Sequence, residues 1–150
     1  MCAKFLFIFF SLSFFTRTNQ RINAALPAEQ ICGKWESCEK NLIVEVYSED
    51  NKFRAKIVWF INTGGKPLDT WTDVHNPDES LRSRKILGMS ILNDLCYKSD
   101  TNSWEDGMIY DAQHGRDWNA SVHIDKDGLL KVKGYWHFKF IGKTLTFRRV

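Results

Sequence analysis

The chain has 150 residues, with 21 Lys or Arg against 18 Asp or Glu, and 43% of its residues are hydrophobic. A chain of this length forms at most one domain around a single hydrophobic core. The sequence has no cluster of Lys and Arg with interleaved aromatic residues, which argues against a nucleic acid as partner.

The first 25 residues have the pattern of a secretory signal. Lys4 precedes an apolar run over residues 5–15, and small side chains at residues 23–25 suit a cleavage site. The run is short for a membrane span, although an uncleaved anchor is the alternative. We predict a signal peptide at residues 1–25, export to the periplasm or the extracellular space, and no membrane span after cleavage.

Cleavage there would also remove the excess positive charge. The segment holds Lys4, Arg17 and Arg21 and no acidic residue, so 18 basic and 18 acidic residues remain in the mature chain. The basic balance of the full chain is therefore a targeting feature, and it gives no support to nucleic-acid binding.

Three cysteines remain after the signal, and an exported chain meets an oxidising compartment. Cys32 and Cys38 are separated by a segment that looks extended, which would hold their Cα atoms too far apart to bond. Cys38 with Cys96 is the better prediction for a disulfide, with one thiol left over. No CxxC pair with zinc-ligand spacing is present, and no metal or cofactor is predicted.

Apolar and polar residues alternate with a period of two along most of the mature chain, as in strands buried on one face. In the last such run Leu130, Val132, Gly134, Trp136 and Phe138 share a face. Turn formers separate the runs, as in "SEDNK" and "DKDG". We predict seven or eight strands, near residues 33–38, 41–48, 53–62, 88–98, 104–111, 117–125, 129–139 and 143–149.

Consecutive hairpins without a long helical pattern predict an all-β fold, a single antiparallel up-and-down β-barrel over residues 26–150. The meander is broken once, at residues 62–84. A loop of that length in a compact domain is usually functional or disordered. "NPDES" suits a short helix with Asp78 as its cap, and Trp71 and Leu81 are predicted to dock the loop on the barrel.

Several motifs across the mature chain carry a family resemblance. They are "GKW" at 33–35, "VEVY" at 44–47, Asp73 with "NPD" at 76–78, "LRSRKILG" at 81–88, "DGMIYDAQHGRDW" at 106–118, "LKVKGY" at 130–135 and "GKTLTFRR" at 142–149. With them the chain resembles the exported bacterial proteins grouped as domain of unknown function 2147. The resemblance implies a barrel like that of lipocalins or fatty-acid-binding proteins. It implies no activity, because the family is uncharacterised.

The long loop holds the candidate ligand-binding residues. Asp73, Asn76 and Asp78 are expected either to orient a polar head group or a hard cation, or to cap their own turns. Arg82 and Arg84 share a face if the stretch is extended, and guanidinium groups suit an anionic head group. In the alternative interpretation, one of the two arginines pairs with an acid and pins the loop.

Three residues outside the loop complete the predicted site. Arg148 is a candidate third contact or a barrel-closing residue. Tyr110 and Trp118 lie in the motif at 106–118, and Trp118 is large enough to line a cavity or fill the core.

The favoured function is binding of a small amphipathic or anionic molecule, with its body on apolar strand faces and no catalytic residue. An enzyme that uses Asp73, His75 or Asp78 as acid or base is the second interpretation, and it requires a raised carboxylate pKa. A filled barrel that serves as an adaptor for a protein partner is the third. Cavity volume separates them, because a ligand site needs about 300 Å³ or more.

Overall fold

Eight antiparallel strands close into one barrel in a computed structural model, which describes residues 27–150. They are β1 (Gly33–Ser37), β2 (Leu42–Glu49), β3 (Lys52–Phe60), β4 (Ser90–Lys98), β5 (Ser103–Asp111), β6 (Arg116–Ile124), β7 (Leu130–Tyr135) and β8 (Gly142–Arg149). Each strand pairs with its neighbours in sequence, and β8 pairs with β1 through Ser37 and Phe147. The predicted all-β up-and-down barrel is confirmed. The predicted signal peptide lies outside the described residues.

Because the strands simply alternate in direction, the connections fall into two groups at opposite ends of the barrel. The β1–β2, β3–β4, β5–β6 and β7–β8 connections lie at one end, which we call the rim. The N-terminal segment and the other three hairpins lie at the closed end. Tight turns hold the closed-end hairpins together: Asp50 and Asn51 between β2 and β3 both have positive φ, as in the turns that suit the right-handed twist of strands.

A short 3-10 helix at Pro27–Ile31 seals the closed end. The indole N–H of Trp35 donates to the Ile31 carbonyl at 2.7 Å, and that of Trp104 donates to the Ala28 carbonyl at 3.0 Å. Both indoles are fully buried, so these bonds satisfy polar groups that would otherwise be stranded in the core. The closed half of the barrel is therefore filled by large side chains.

The β3–β4 connection is ordered, as predicted, and runs over residues 61–89; we call it the long loop. It contains 3-10 turns at Leu68–Thr70 and Glu79–Leu81. Within residues 27–150 no helix is long and apolar enough to span a membrane. Trp71 meets Phe60 edge-on at 6.4 Å, which docks the loop as expected. Leu81 does not dock, since 40% of it is exposed.

The last hairpin differs from the prediction. β7 ends at Tyr135, which pairs with Gly142, so residues 136–141 form the connection rather than a continued strand. Gly142 lies so close to the Gly134 carbonyl that a Cβ there would be 2.3 Å from its oxygen. β8 begins at this close approach, and beyond it Trp136 and Phe138 lie outside the paired strands and are exposed.

The predicted disulfide between Cys38 and Cys96 is wrong, because all three cysteines in residues 27–150 are free. Cys38 lies in the β1–β2 connection at the rim, whereas Cys96 lies near the end of β4 toward the closed end. β4 pairs only with β3 and β5, so the barrel keeps these two residues apart.

The free thiols are expected to react at different rates. Burial raises the pKa of Cys32 to about 12, assisted by its hydrogen bond to Glu29, whereas Cys38 is exposed. Since the thiolate is the nucleophile, we expect iodoacetamide to alkylate Cys38 at least about a hundredfold faster than Cys32 at mildly alkaline pH. Peptide mapping after timed alkylation measures both rates. If Cys38 and Cys96 reacted only after a reductant was added, the result would support the predicted disulfide between them.

Candidate functional site

The long loop is folded back on itself at the rim. Thr72 forms an antiparallel bridge with Lys85, and the backbone N–H of Asp73 donates to the Arg84 carbonyl at 2.9 Å. The N–H of Ile86 donates to the Trp71 carbonyl at 2.9 Å. These bonds form a short antiparallel pairing within an otherwise irregular segment. They bring Asp73 beside Arg84, which lies eleven residues further along the chain.

Asp73 is fully buried at the centre of this arrangement. Its Oδ2 accepts hydrogen bonds from Asn76 Nδ2 and Arg84 Nη2, each at 2.7 Å, and its Oδ1 accepts one from the Tyr110 hydroxyl at 2.9 Å. The Arg84 guanidinium also lies over the Tyr110 ring, 5.5 Å from its centroid. A carboxylate taken out of water costs several kcal/mol unless it is paired and hydrogen-bonded, and here it is both.

The electrostatics of the pair follow from these contacts. Burial by itself would raise the pKa of the Asp73 carboxyl, but its three hydrogen bonds and the positive charge of Arg84 outweigh burial, and the pKa lies below its usual value. Burial and the bond to Asp73 raise the pKa of Tyr110 to about 12. Asp73 is therefore an anion and Tyr110 a neutral donor at neutral pH.

The remaining polar residues of the loop bond to their own neighbours. Asp78 accepts from the backbone N–H and the hydroxyl of Ser80 at 2.9 and 2.7 Å, so it caps the short 3-10 helix as predicted. Arg82 Nε donates to the Asn76 carbonyl at 2.9 Å, and Nη1 donates to Glu79 at 3.1 Å. The alternative in which these residues hold the loop in shape therefore accounts for the contacts of Asp78 and Arg82.

These contacts bear on the cation and acid–base interpretations. Within residues 27–150 no three His, Cys, Asp or Glu side chains are grouped so that they could hold a metal ion. The hydrogen bonds of the Asp73 carboxylate go to Asn76, Arg84 and Tyr110, not to His75. The lowered pKa of Asp73 is the opposite of what an acid catalyst requires.

Tyr110 joins the loop network, whereas Arg148 and Trp118 lie apart from it. Arg148 Nε donates to Glu36 at 2.9 Å, across the β1–β8 seam that closes the barrel. Trp118 packs edge-on against Trp136 with ring centroids 5.8 Å apart. The structure thus gathers Asp73, Asn76, Arg84 and Tyr110 at one point, with Asp78 and Arg82 alongside.

A cleft of about 430 Å³ lies on the outer surface of the barrel wall, from Met108 and Asn119 near mid-strand to Asp117 near the rim; we call it the rim cleft. Its lining comes from β5, β6 and the connection after β7: Met108, Asp117, Asn119, Trp136 and His137. Tyr110 pairs with Asp117 across the β5–β6 ladder, so the cleft adjoins the phenol that bonds to Asp73. The sequence interpretation missed the cleft, because strict alternation placed Trp136 inside a strand. The available signal was the run "YWHFKFI", in which five of seven residues are aromatic or aliphatic, more than an ordinary turn contains.

The geometry defines a class, an eight-stranded lipocalin-like barrel with an ordered loop at its rim. A solved structure similar to this one is protein HP1028 from Helicobacter pylori, described as belonging to the lipocalin family. It is 25% identical, with a TM-score of 0.67 over 79% of this chain and 82% of that chain. No curated protein matches the chain. The chain belongs to DUF2147, a family of uncharacterized proteins conserved in bacteria, whose model matches residues 33–149.

Substitution of Asp73 tests whether its charge holds the loop. We expect Asp73→Asn to lower the free energy of unfolding by about 2–4 kcal/mol at neutral pH, because Arg84 loses its buried partner. The folded pKa lies below the unfolded value, so the carboxylate's stabilisation is present above about pH 4 and is lost as the pH falls through the folded pKa. The difference between wild type and variant in urea unfolding should therefore shrink toward about pH 2.

Asp78→Asn is the matched control for that experiment. Asp78 is exposed, and Asn caps a helix about as well as Asp, so we expect little change in stability at neutral pH. Equal losses for the two variants would mean that the ion pair with Arg84 does not hold the loop.

A pair of turn glycines tests the contact between the β5–β6 connection and the long loop. Gly115 and Gly128 both have positive φ, but a Cβ at Gly115 would lie 2.0 Å from the His75 carbonyl oxygen, whereas Gly128 faces open space. We expect Gly128→Ala to cost about 1 kcal/mol of unfolding free energy. Gly115→Ala should cost about 1–3 kcal/mol more, because the loop has to move. Similar losses in thermal or urea unfolding would contradict that contact.

Proposed function

We propose that this protein binds a small amphipathic molecule with an anionic head group at the rim of its barrel. The observation that carries the proposal is a cleft of about 430 Å³ that adjoins the network of Asp73 and Arg84 through Asp117, the strand partner of Tyr110. It is a shallow groove that is wide open to solvent, and its volume lies in the lower part of the range of about 300–1,000 Å³ of small-molecule sites. Met108 and Trp136 offer apolar surface for the body of the ligand.

Arg84 is the residue proposed to contact the head group. It donates from Nη2 to Asp73, and 39% of its side chain is exposed. A guanidinium has five N–H donors, so the bond to Asp73 leaves capacity for a second acceptor. Arg82, with 44% of its side chain exposed, is the next positive charge along the loop. The structural and ligand-binding interpretations of the arginines are thus compatible.

The packing of the barrel favours the rim over the deep interior. The closed half contains the fully buried Trp35, Leu95, Trp104 and Leu130. Halfway along β5, a Cβ added at Gly107 would lie 2.7 Å from Leu95, so even a methyl group has no room there. The proposal therefore places the body of the ligand in the rim cleft on the outer wall, and it departs from the expectation that the inner strand faces hold it.

A second cleft, of about 440 Å³, lies at the closed end beside the N-terminal 3-10 helix. Two charged residues line it. Glu29 accepts a hydrogen bond from the Cys32 thiol, and Arg149 donates to the backbone carbonyls of Cys32 and Gln30 and stacks over Trp35 at 4.2 Å. These contacts tie the helix to the barrel. They give Arg149 a structural role, so the rim cleft is the better candidate.

We also propose that residues 1–25 are a signal peptide and that the protein acts after export. The support is the sequence pattern of a basic residue, an apolar run and small residues. A mature N-terminus near residue 26, determined by sequencing the protein from a bacterial envelope fraction, is the expected result. An intact Met1 on the envelope protein would contradict it.

Native mass spectrometry of the mature protein, purified gently from its host, tests the binding proposal directly. We expect an additional mass of a few hundred daltons that disappears on denaturation, in keeping with a site of about 430 Å³. A protein that stays bare and also fails to bind amphipathic probes would favour the adaptor interpretation.

A fluorescence titration with dansyl-undecanoate tests where the site lies. We expect Trp136→Ala to weaken binding about tenfold, because an aromatic side chain supplies much of the apolar contact area. Val74→Ala, at an exposed apolar residue of the long loop, is the matched control and should bind normally. The methyl ester of the probe should also bind about tenfold more weakly, since it removes a charge-assisted hydrogen bond. Equal affinity of wild type and Trp136→Ala would exclude the rim cleft.

A further inference from the structure

The connection between β7 and β8 exposes a group of large apolar side chains at the rim. Trp136, Phe138, Phe140 and Ile141 are 58%, 60%, 78% and 63% exposed, respectively. We call residues 136–141 the aromatic tip. Single exposed apolar residues are ordinary on a protein surface, but four within six positions form a contiguous patch, and such patches mark sites of interaction.

The aromatic tip is an ordered turn. Phe138 and Phe140 stack with ring centroids 5.4 Å apart and an interplanar angle of 22°. The N–H of Ile141 donates to the Phe138 carbonyl at 3.0 Å, and the Asn119 amide donates to the Trp136 carbonyl at 2.6 Å. The two rings are thus held together while they remain exposed to water. Their exposure is costly, because apolar surface is more stable when it is buried.

Two lysines flank the rings of the aromatic tip. Lys139, within the tip, pairs with Glu105 at 2.6 Å, and 55% of its side chain is exposed. Lys143 follows the tip at the start of β8 and is exposed. A partner of this surface therefore has to accept aromatic rings, and the exposed ammonium group of Lys143 favours an anionic one.

We propose that the aromatic tip docks the protein on an anionic lipid surface. Aromatic rings flanked by lysines are the composition that settles at the boundary between head groups and acyl chains, where the rings enter the apolar layer and the ammonium groups stay in water. A protein partner would have to cover much more than the tip, because a stable interface takes about 20–30 residues on each side.

Docking in this way orients the barrel. The aromatic tip folds back on the outer wall, where Asn119 donates to the Trp136 carbonyl and Lys139 reaches Glu105. Trp136 also lines the rim cleft, so a membrane that receives the rings lies beside that cleft. The docking proposal stands without the ligand proposal, because Phe138, Phe140 and Ile141 of the tip do not line the rim cleft.

Cosedimentation with vesicles tests the docking. We expect the mature protein to bind vesicles of phosphatidylglycerol and phosphatidylcholine, to bind pure phosphatidylcholine more weakly, and to be released as salt screens the charges. Replacing both Phe138 and Phe140 by Ser should reduce binding at least about tenfold, since two rings no longer enter the apolar layer. Lys143→Gln should reduce it about fivefold, the effect of one basic group near the surface.

The double replacement of Ile61 and Val74 by Ser is the matched control. These residues are 53% and 59% exposed in the long loop at the same rim, but outside the aromatic tip. The control variant should bind the anionic vesicles as wild type does, and each variant should keep the wild-type thermal midpoint. Equal loss in the control variant, or no binding by wild type at low salt, would overturn the proposal.

Two further measurements distinguish lipid docking from ligand binding and from self-association. Binding of dansyl-undecanoate in solution should be unchanged by the Phe138 and Phe140 replacements, so a failure of docking is distinguishable from a failure of ligand binding. Sedimentation velocity without vesicles should show the same species for wild type and the tip variant. A wild-type oligomer that the tip variant dissolves would identify a second copy of the chain as the occupant, against a lipid surface.

Discussion

The buried negative charge of Asp73 is the constraint on which the shape of the rim depends. A carboxylate with no exposed surface has to be compensated by donors close at hand. Two of them, Asn76 and Arg84, come from its own loop, and Tyr110 comes from β5. Because these donors lie in different segments, satisfying one charge closes the long loop on itself and fastens it to the barrel wall.

The two ends of the barrel solve different problems. The closed end buries its large aromatic side chains and satisfies the indoles of Trp35 and Trp104 with carbonyls of the N-terminal 3-10 helix. The rim uses polar groups, with Asp73 as their centre, and leaves its apolar side chains at the surface. A packed half gives the barrel its stability, so the rim is free to present a cleft and an aromatic tip to other molecules.

The period of two in the sequence was enough to place the barrel, because a strand buried on one face imposes that period on its residues. Most strand limits lie within two residues of those predicted. The pattern failed at Trp136, since alternation does not say where the partner strand begins, and here the contact of Gly142 with Gly134 decides that. The alternation also contains no information on distances between strands. For that reason the predicted disulfide joined Cys38 and Cys96, which lie toward opposite ends of the barrel. The bond from Tyr110 to Asp73 spans 37 positions and has no local signal.

If an anionic head group binds beside Arg84, the guanidinium has to bind two negative groups, the Asp73 carboxylate and the head group. Asp73 is permanently ionised at neutral pH and already holds one side of the guanidinium, so a second anion gains only part of the attraction that a free arginine would give. A strongly held head group would also weaken the bond that keeps the long loop folded. The geometry therefore suits a ligand retained mainly by apolar contact and only steered by charge.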